Sequence, residues 1–250
     1  MNPCEAKPWL ALYDAGQPRE IMPEHVDALV LFRVAVARAA DRPALLYFDG
    51  RLTYAELDAE SDAFAAALCD RDFSAGDRLG IYLQNVPQFV ISVLAAWKAG
   101  GIAVAISPMN RQRELALLLA DCTPRALVCH ETLYFDVVRK LGNAPELIFT
   151  TSALEYQTRN DPRLFAGVAR RRPDAAEDLA SLLRANRSRR RICPPDIAFL
   201  VYTSGTTGVP KAATITHANV GFNAQSYREW MRMESGQPIL GLAPLSTLPA

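Results

Sequence analysis

The sequence predicts an α/β fold, a mostly parallel sheet with helices on both faces. Two observations carry this. Short apolar runs of strand length, at residues 78–83, 102–106, 126–129 and 147–150, alternate with longer stretches of helical apolar spacing, and strands buried on both faces read as such near-continuous runs. The helical stretches also begin and end at residues suited to those positions, with a Thr-x-x-Glu box at Thr53, a proline at Pro87 and the pair Gly100-Gly101.

Taken in order, residues 1–24 contain Trp9, Tyr13 and several prolines without a clear period, and predict an extended arm. Residues 25–39 read as a helix, with Val26, Leu29, Val30, Val34 and Ala37 on its apolar face. Pro43 ends it. Residues 44–48 and 51–52 flank Asp49-Gly50 and predict a hairpin with that pair as its tight turn. Thr53 and Glu56 form a capping box, so a strong helix should run to about Asp70 and bury Leu57, Phe64, Ala67 and Leu68. After the Gly76-Asp77 turn come a strand over 78–83 and a helix opened by Pro87 that carries Val90, Val93, Leu94 and Trp97. The alternation continues with a strand over 102–106, a helix over 111–120, a strand over 126–129, a helix over 132–141 and a strand over 147–150. Ligands of such sheets sit outside the carboxyl ends of the strands. The loops at Asn85, at Gly100-Gly101 and at Ser107-Pro108-Met109-Asn110 are therefore candidate edges, each of which could equally be a plain turn.

Composition removes several function classes. The 250 residues hold 27 basic and 27 acidic side chains, so no whole-chain field favours nucleic acid or an anionic membrane surface. The start lacks the basic and apolar parts of a signal peptide. The best apolar run, residues 89–97, is far shorter than the roughly 20 residues that span a bilayer. A cytoplasmic protein is expected. Cys4, Cys69, Cys122, Cys129 and Cys193 are odd in number and show no Cys-x-x-Cys spacing, which fits reduced thiols filling core volume and predicts no metal site. Nine arginines fall between Arg163 and Arg191, but Phe165 is the lone aromatic among them. They predict a solvated, mobile connection over 151–195, with no nucleic-acid partner.

The chemistry concentrates after the strand predicted over 197–202. Thr203-Ser-Gly-Thr-Thr-Gly-Val-Pro-Lys211 places four hydroxyl donors, two glycines able to turn backbone N–H groups inward and one mobile cation in nine residues. Such a loop suits a polyphosphate, although a Ser/Thr/Gly turn without a ligand has the same composition. Its glycine spacing matches neither the Gly-x4-Gly-Lys loop of nucleotidases nor a dinucleotide Gly-x-Gly-x-x-Gly. An extended stretch over 212–216, a helix from His217 to about Met233 and a strand over 239–242 are expected to follow. His217 reads as a helix-start or packing residue before it reads as a catalyst.

The longer string Tyr202-Thr-Ser-Gly-Thr-Thr-Gly-Val-Pro-Lys211, with Thr216-His217 and Asn219, resembles the phosphate-loop signature of the adenylate-forming acyl- and aryl-CoA synthetase superfamily, the AMP-dependent synthetases and ligases. Leu52-Thr-Tyr-Ala-Glu-Leu57, Gly76-Asp-Arg-Leu79, Asn85-Val-Pro-Gln-Phe89, Ala99-Gly-Gly101 and Pro108-Met-Asn110 also look like that family, and Trp9-Leu-Ala-Leu-Tyr13 points toward its bacterial long-chain fatty-acid CoA ligases. The resemblance implies ATP-dependent activation of a carboxylic acid to an acyl-adenylate, then transfer to coenzyme A, with ATP, Mg2+ and coenzyme A used and none covalently bound. It implies that Thr203, Ser204, Gly205, Thr206, Thr207, Gly208 and Lys211 grip the β- and γ-phosphates. Two departures stand out: Ala212 replaces the family's usual glycine, and Ser246-Thr-Leu-Pro-Ala250 replaces an aromatic-His pair and a long remainder.

On that comparison the chain is expected to be a truncated N-terminal domain, divided into an α/β subdomain over 1–150, the Arg-rich connection over 151–195 and a phosphate-loop segment over 196–250. The expected catalytic lysine and acidic residue would lie past residue 250, so no catalytic residue is assigned. Apolar surface left bare would favour self-association, and the piece alone is expected to be inactive. The alternative is a non-catalytic module that binds ATP, pyrophosphate or a partner.

Overall fold

A computed structural model describes residues 7–185, 196–203 and 211–246, and the side chains of Ala185 and Thr203 are outside that description. After a 3-10 turn at Pro8–Leu12, helix α1 (Ala28–Ala39) is capped by Asp27, whose carboxylate accepts from Leu29 N–H at 2.7 Å. That cap starts the helix three residues later than the periodicity predicts and sets its phase. Ala28 and Leu29 are buried, whereas Val26 and Val30 face outward.

Strands β1 (Pro43–Tyr47) and β2 (Gly50–Thr53) form a two-stranded antiparallel hairpin in which Tyr47 pairs with Gly50. The loop is thus Phe48-Asp49 and not Asp49-Gly50, and Phe48 takes the left-handed conformation with φ of 51°. The reason lies in Gly50 itself. A Cβ there would stand 1.7 Å from the Tyr156 carbonyl oxygen, so Gly50 serves a close backbone approach and not the turn. Helix α2 (Tyr54–Cys69) has both arms of the predicted capping box, Glu56 N–H to Thr53 Oγ1 at 3.2 Å and Thr53 N–H to Glu56 at 2.8 Å.

Then come β3 (Arg78–Tyr82), α3 (Pro87–Lys98), β4 (Ile102–Ile106), α4 (Gln112–Cys122), β5 (Ala126–His130), the short α5 (Glu131–Asp136), β6 (Leu147–Thr151), α6 (Pro162–Phe165), β7 (Glu177–Asp178), α7 (Leu179–Ala185), β8 (Ile197–Thr203), β9 (Lys211–Thr216) and α8 (His217–Trp230). The central sheet runs β7-β6-β5-β3-β4-β8-β9, with every pair parallel except β8 with β9. This is the predicted mostly parallel α/β sheet. Strand alternation sorts its side chains cleanly: Leu79, Ile81, Ala103, Ala105, Ala126 and Val128 face α2 and α3, while Tyr82, Val104, Ile106, Leu127 and Cys129 face α4 and α5. Small residues on the first face leave room for Trp97, whose indole N–H donates to the Ala198 carbonyl at 2.9 Å and ties α3 to β8.

Three expectations change. Residues 239–242 form no strand, and Ile239, Leu240 and Leu242 are exposed. The helix predicted over 132–141 is two short pieces, α5 and a 3-10 turn at Val138–Lys140. The Arg-rich stretch is not uniformly solvated, because Arg170 sits among three carboxylates, Glu131 at 3.2 Å, Asp178 at 2.5 Å and Glu155, and so draws β5, β6 and β7 together. Lys98 is likewise buried, held by Asp58 at 2.7 Å and Asp62 at 2.8 Å.

Candidate functional site

Strand β8 leads into the predicted phosphate loop, and its neighbours fix where that loop starts. Phe199, Leu200 and Val201 pair in parallel with Ala103, Val104 and Ala105 of β4. On the other side β9 runs antiparallel, and the last pair of the register is Thr203 with Lys211. The two ends of the loop are therefore cross-strand neighbours at the carboxyl end of β8. Lys211 is exposed there. Ser204, Gly205, Thr206, Thr207 and Gly208 lie outside the described residues, so the structure brings together the loop's first and last predicted ligands, Thr203 and Lys211, by backbone register.

The base of the loop is tied down. Tyr202 donates its hydroxyl to the Asp121 carboxylate at the end of α4. Burial, then the Asp121 bond, pushes the Tyr202 hydroxyl far up and keeps it a neutral donor. Beneath it, burial pushes the Cys122 thiol up to about 11, and Cys129 rises further for the same reason, so neither is a thiolate near neutrality. Among the described residues Cys69, Cys122 and Cys129 form no disulfide, and no group of three or more His, Cys, Asp or Glu converges as a metal site.

Neighbouring loops gather at the same edge. Tyr82, the last residue of β3, donates to the Asn110 carbonyl in the loop after β4, with its hydroxyl pushed up to about 12 by burial. Asn85, just after β3, donates to the carbonyls of Gly241 at 3.1 Å and Ala243 at 2.8 Å and accepts from Leu245 N–H at 2.9 Å. Farther along the edge, burial holds His130 below its ordinary value, and its Nε2 accepts from Ala153 N–H at 3.0 Å. This histidine is a neutral structural acceptor.

Two candidates fall elsewhere. Gly100-Gly101 precedes β4 and thus lies at the opposite end of the sheet, where a Cβ on Gly101 would stand 2.4 Å from the Phe73 ring. His217 also lies at that opposite end. Its N–H bonds the Asp196 carbonyl before β8, its ring stacks edge-on against Trp97 at 4.9 Å, and burial lowers its pKa. Sequence reasoning placed Asn85 in a candidate loop but could not see what its amide holds, and nothing in the run Arg170-Arg171-Arg172 singles out Arg170.

Residues 32–248 match the family described as AMP-binding enzyme. A long-chain-fatty-acid CoA ligase of Bacillus subtilis is 28% identical over 253 residues, covering 95% of this chain and 45% of that protein. One from Escherichia coli O6:H1 is 30% identical over 242 residues, covering 88% and 42%. Among solved structures, a long-chain-fatty-acid-CoA ligase from Archaeoglobus fulgidus superposes with a TM-score of 0.71 at 20% identity over 94% of this chain and 45% of that one. An anthranilate CoA ligase bound to anthranoyl-AMP gives 0.68 at 22% identity, over 82% and 37%. The chain spans less than half the length of each of these relatives.

Proposed function

This chain belongs to the family of AMP-binding enzymes, and from that premise we propose that it serves the ATP-dependent activation of a carboxylic acid, with fatty acids as the substrate class. In this reading the acid's carboxylate oxygen bonds to the α-phosphorus of ATP and the bond to pyrophosphate breaks, giving an acyl-adenylate. The coenzyme A thiol then displaces AMP to leave a thioester. The observation that supports it most is the Thr203 and Lys211 register pair, which closes a nine-residue donor-rich loop at the carboxyl end of a parallel sheet, where such sheets take their ligands.

The residues from Thr203 to Lys211 act here by position and charge. Hydroxyl and backbone donors hold the β- and γ-phosphates while the Lys211 ammonium offsets the charge growing on the pyrophosphate leaving group, an electrostatic role that needs no proton transfer. Tyr202, pinned to Asp121, and β8, anchored by Trp97, hold the loop's first residue still. Magnesium accompanies the ATP phosphates in this reading, and no described residue is assigned to it.

Pyrophosphate exchange into ATP, measured with a panel of fatty acids, tests the proposal. The 250 residues alone are expected to show little or none, so acid-dependent exchange by them would support acid activation and overturn the inactivity expected of the piece. Binding of ATP or pyrophosphate without exchange fits the inactive piece and the non-catalytic module alike, and no binding of either by the folded chain would overturn the proposal.

A further inference from the structure

The turn between β3 and α3 carries two amides that reach in opposite directions along the carboxyl edge. Gln88, fully buried at the start of α3, donates to Thr151 Oγ1 at 3.0 Å, the Ser152 carbonyl at 2.9 Å and Glu155 at 2.9 Å, on the β6 side. Asn85 turns the other way and bonds residues 241, 243 and 245. The segment they belong to bends at Ala243 and turns at Leu245-Ser246. One carboxamide, using its oxygen once and its nitrogen twice, thus holds a segment that has neither helix nor sheet partner.

We propose that Asn85 is a positioning residue, whose carboxamide fixes residues 241–245 across the edge of the sheet where β3, β4 and β8 all end. Asn is required for chemical reasons. Only a short primary amide offers two donors and an acceptor from one planar group. Aspartate keeps the acceptor for Leu245 N–H but loses both donors, and alanine loses all three. The segment so held presents the exposed side chains of Leu240, Leu242 and Leu245 beside that edge, apolar surface of the kind an acyl chain would cover. The consequence for substrate rests on the acid-activation reading given above; the clamp itself does not.

Amide hydrogen exchange on the full 250-residue chain decides the matter. Replacing Asn85 by Ala should lower protection of the Leu245 amide about tenfold or more, the loss of one to two net hydrogen bonds at about 1.4 kcal/mol per decade, while amides of β3 and α3 keep theirs. Asn85→Asp should fall between wild type and Asn85→Ala at Leu245. Gln88→Met serves as the contrast, lowering the melting temperature without altering protection at Leu245 in the folded state. Equal Leu245 protection in wild type and Asn85→Ala overturns the proposal. Where the wild type shows pyrophosphate exchange, Asn85→Ala should raise KM for the acid with KM for ATP unchanged, and an unchanged acid KM would also overturn the positioning role. Absence of exchange by the wild type matches the inactivity expected of the piece alone, and the exchange-protection result still decides the clamp.

Discussion

Replacing Arg170 by Met should destabilise the fold by about 3 kcal/mol, and should do so in a pH-dependent way. The guanidinium bonds Glu131 at 3.2 Å, Asp178 at 2.5 Å and Glu155, and the three carboxylates are 1%, 10% and 13% exposed. Methionine fills much of the volume but leaves those charges facing one another out of water. Breaking a buried ion pair on one side costs about 3–5 kcal/mol. The lower end applies because Arg170 itself is 26% exposed. Against a total stability of about 5–15 kcal/mol, and with a urea dependence of about 1–3 kcal/mol per molar, the denaturation midpoint should fall by about 1–3 M. Burial pushes Asp178 up, but the Ser181 hydroxyl bond and the Arg170 and Arg172 charges together outweigh it and hold the carboxyl below its ordinary value. A carboxylate so lowered adds stability above its unfolded-state pKa and loses it as pH falls through the folded one. The gap between wild type and variant should therefore be widest near pH 7 and narrow below about pH 4. Arg170→Lys, which keeps the charge without the planar fork, should fall between the two. A loss under about 1 kcal/mol, or a gap that does not change with pH, would refute the role given to this side chain.

Two further perturbations test the packing that supports the site. Lys98→Met should cost about 3 kcal/mol in urea denaturation, because Asp58 and Asp62 lose the ammonium they share at 2.7 and 2.8 Å; a neutral result would show that the pair is not needed. Gly50→Ala should lower thermal stability by about 1–3 kcal/mol, since the new methyl meets the Tyr156 carbonyl oxygen at 1.7 Å and the hairpin must move away.

Much of the fold was legible in the sequence because local signals and burial agree there. The box at Thr53 and Glu56 and the proline at Pro87 act within one turn of helix, and both appear as predicted. The apolar runs of β3, β4 and β5 are read correctly because both faces of these strands are covered. Failures arise where a distant group decides the outcome. Asp49-Gly50 has the composition of a tight turn, but the approach of Tyr156, more than a hundred residues on, requires Gly50 in the strand. Arg170 differs from Arg171 and Arg172 only in what the fold sets against it. Residues 239–242 have the apolar content of a strand, yet no strand among the described residues meets them. For the site, the backbone register sets Thr203 opposite Lys211, while Asn85 shows its partners only in three dimensions.

In the proposed function the stretch from Thr203 to Lys211 binds the phosphates of ATP. Calorimetric titration of the folded chain with pyrophosphate and with MgATP, beside a Lys211→Ala, Gly205→Ala double variant, tests it most directly. A charge-assisted contact to phosphate is worth about 1.5–3 kcal/mol, so the variant should bind about ten- to hundredfold more weakly at 1.4 kcal/mol per decade. Equal affinity in the two proteins, or no binding by the folded wild type, would contradict it.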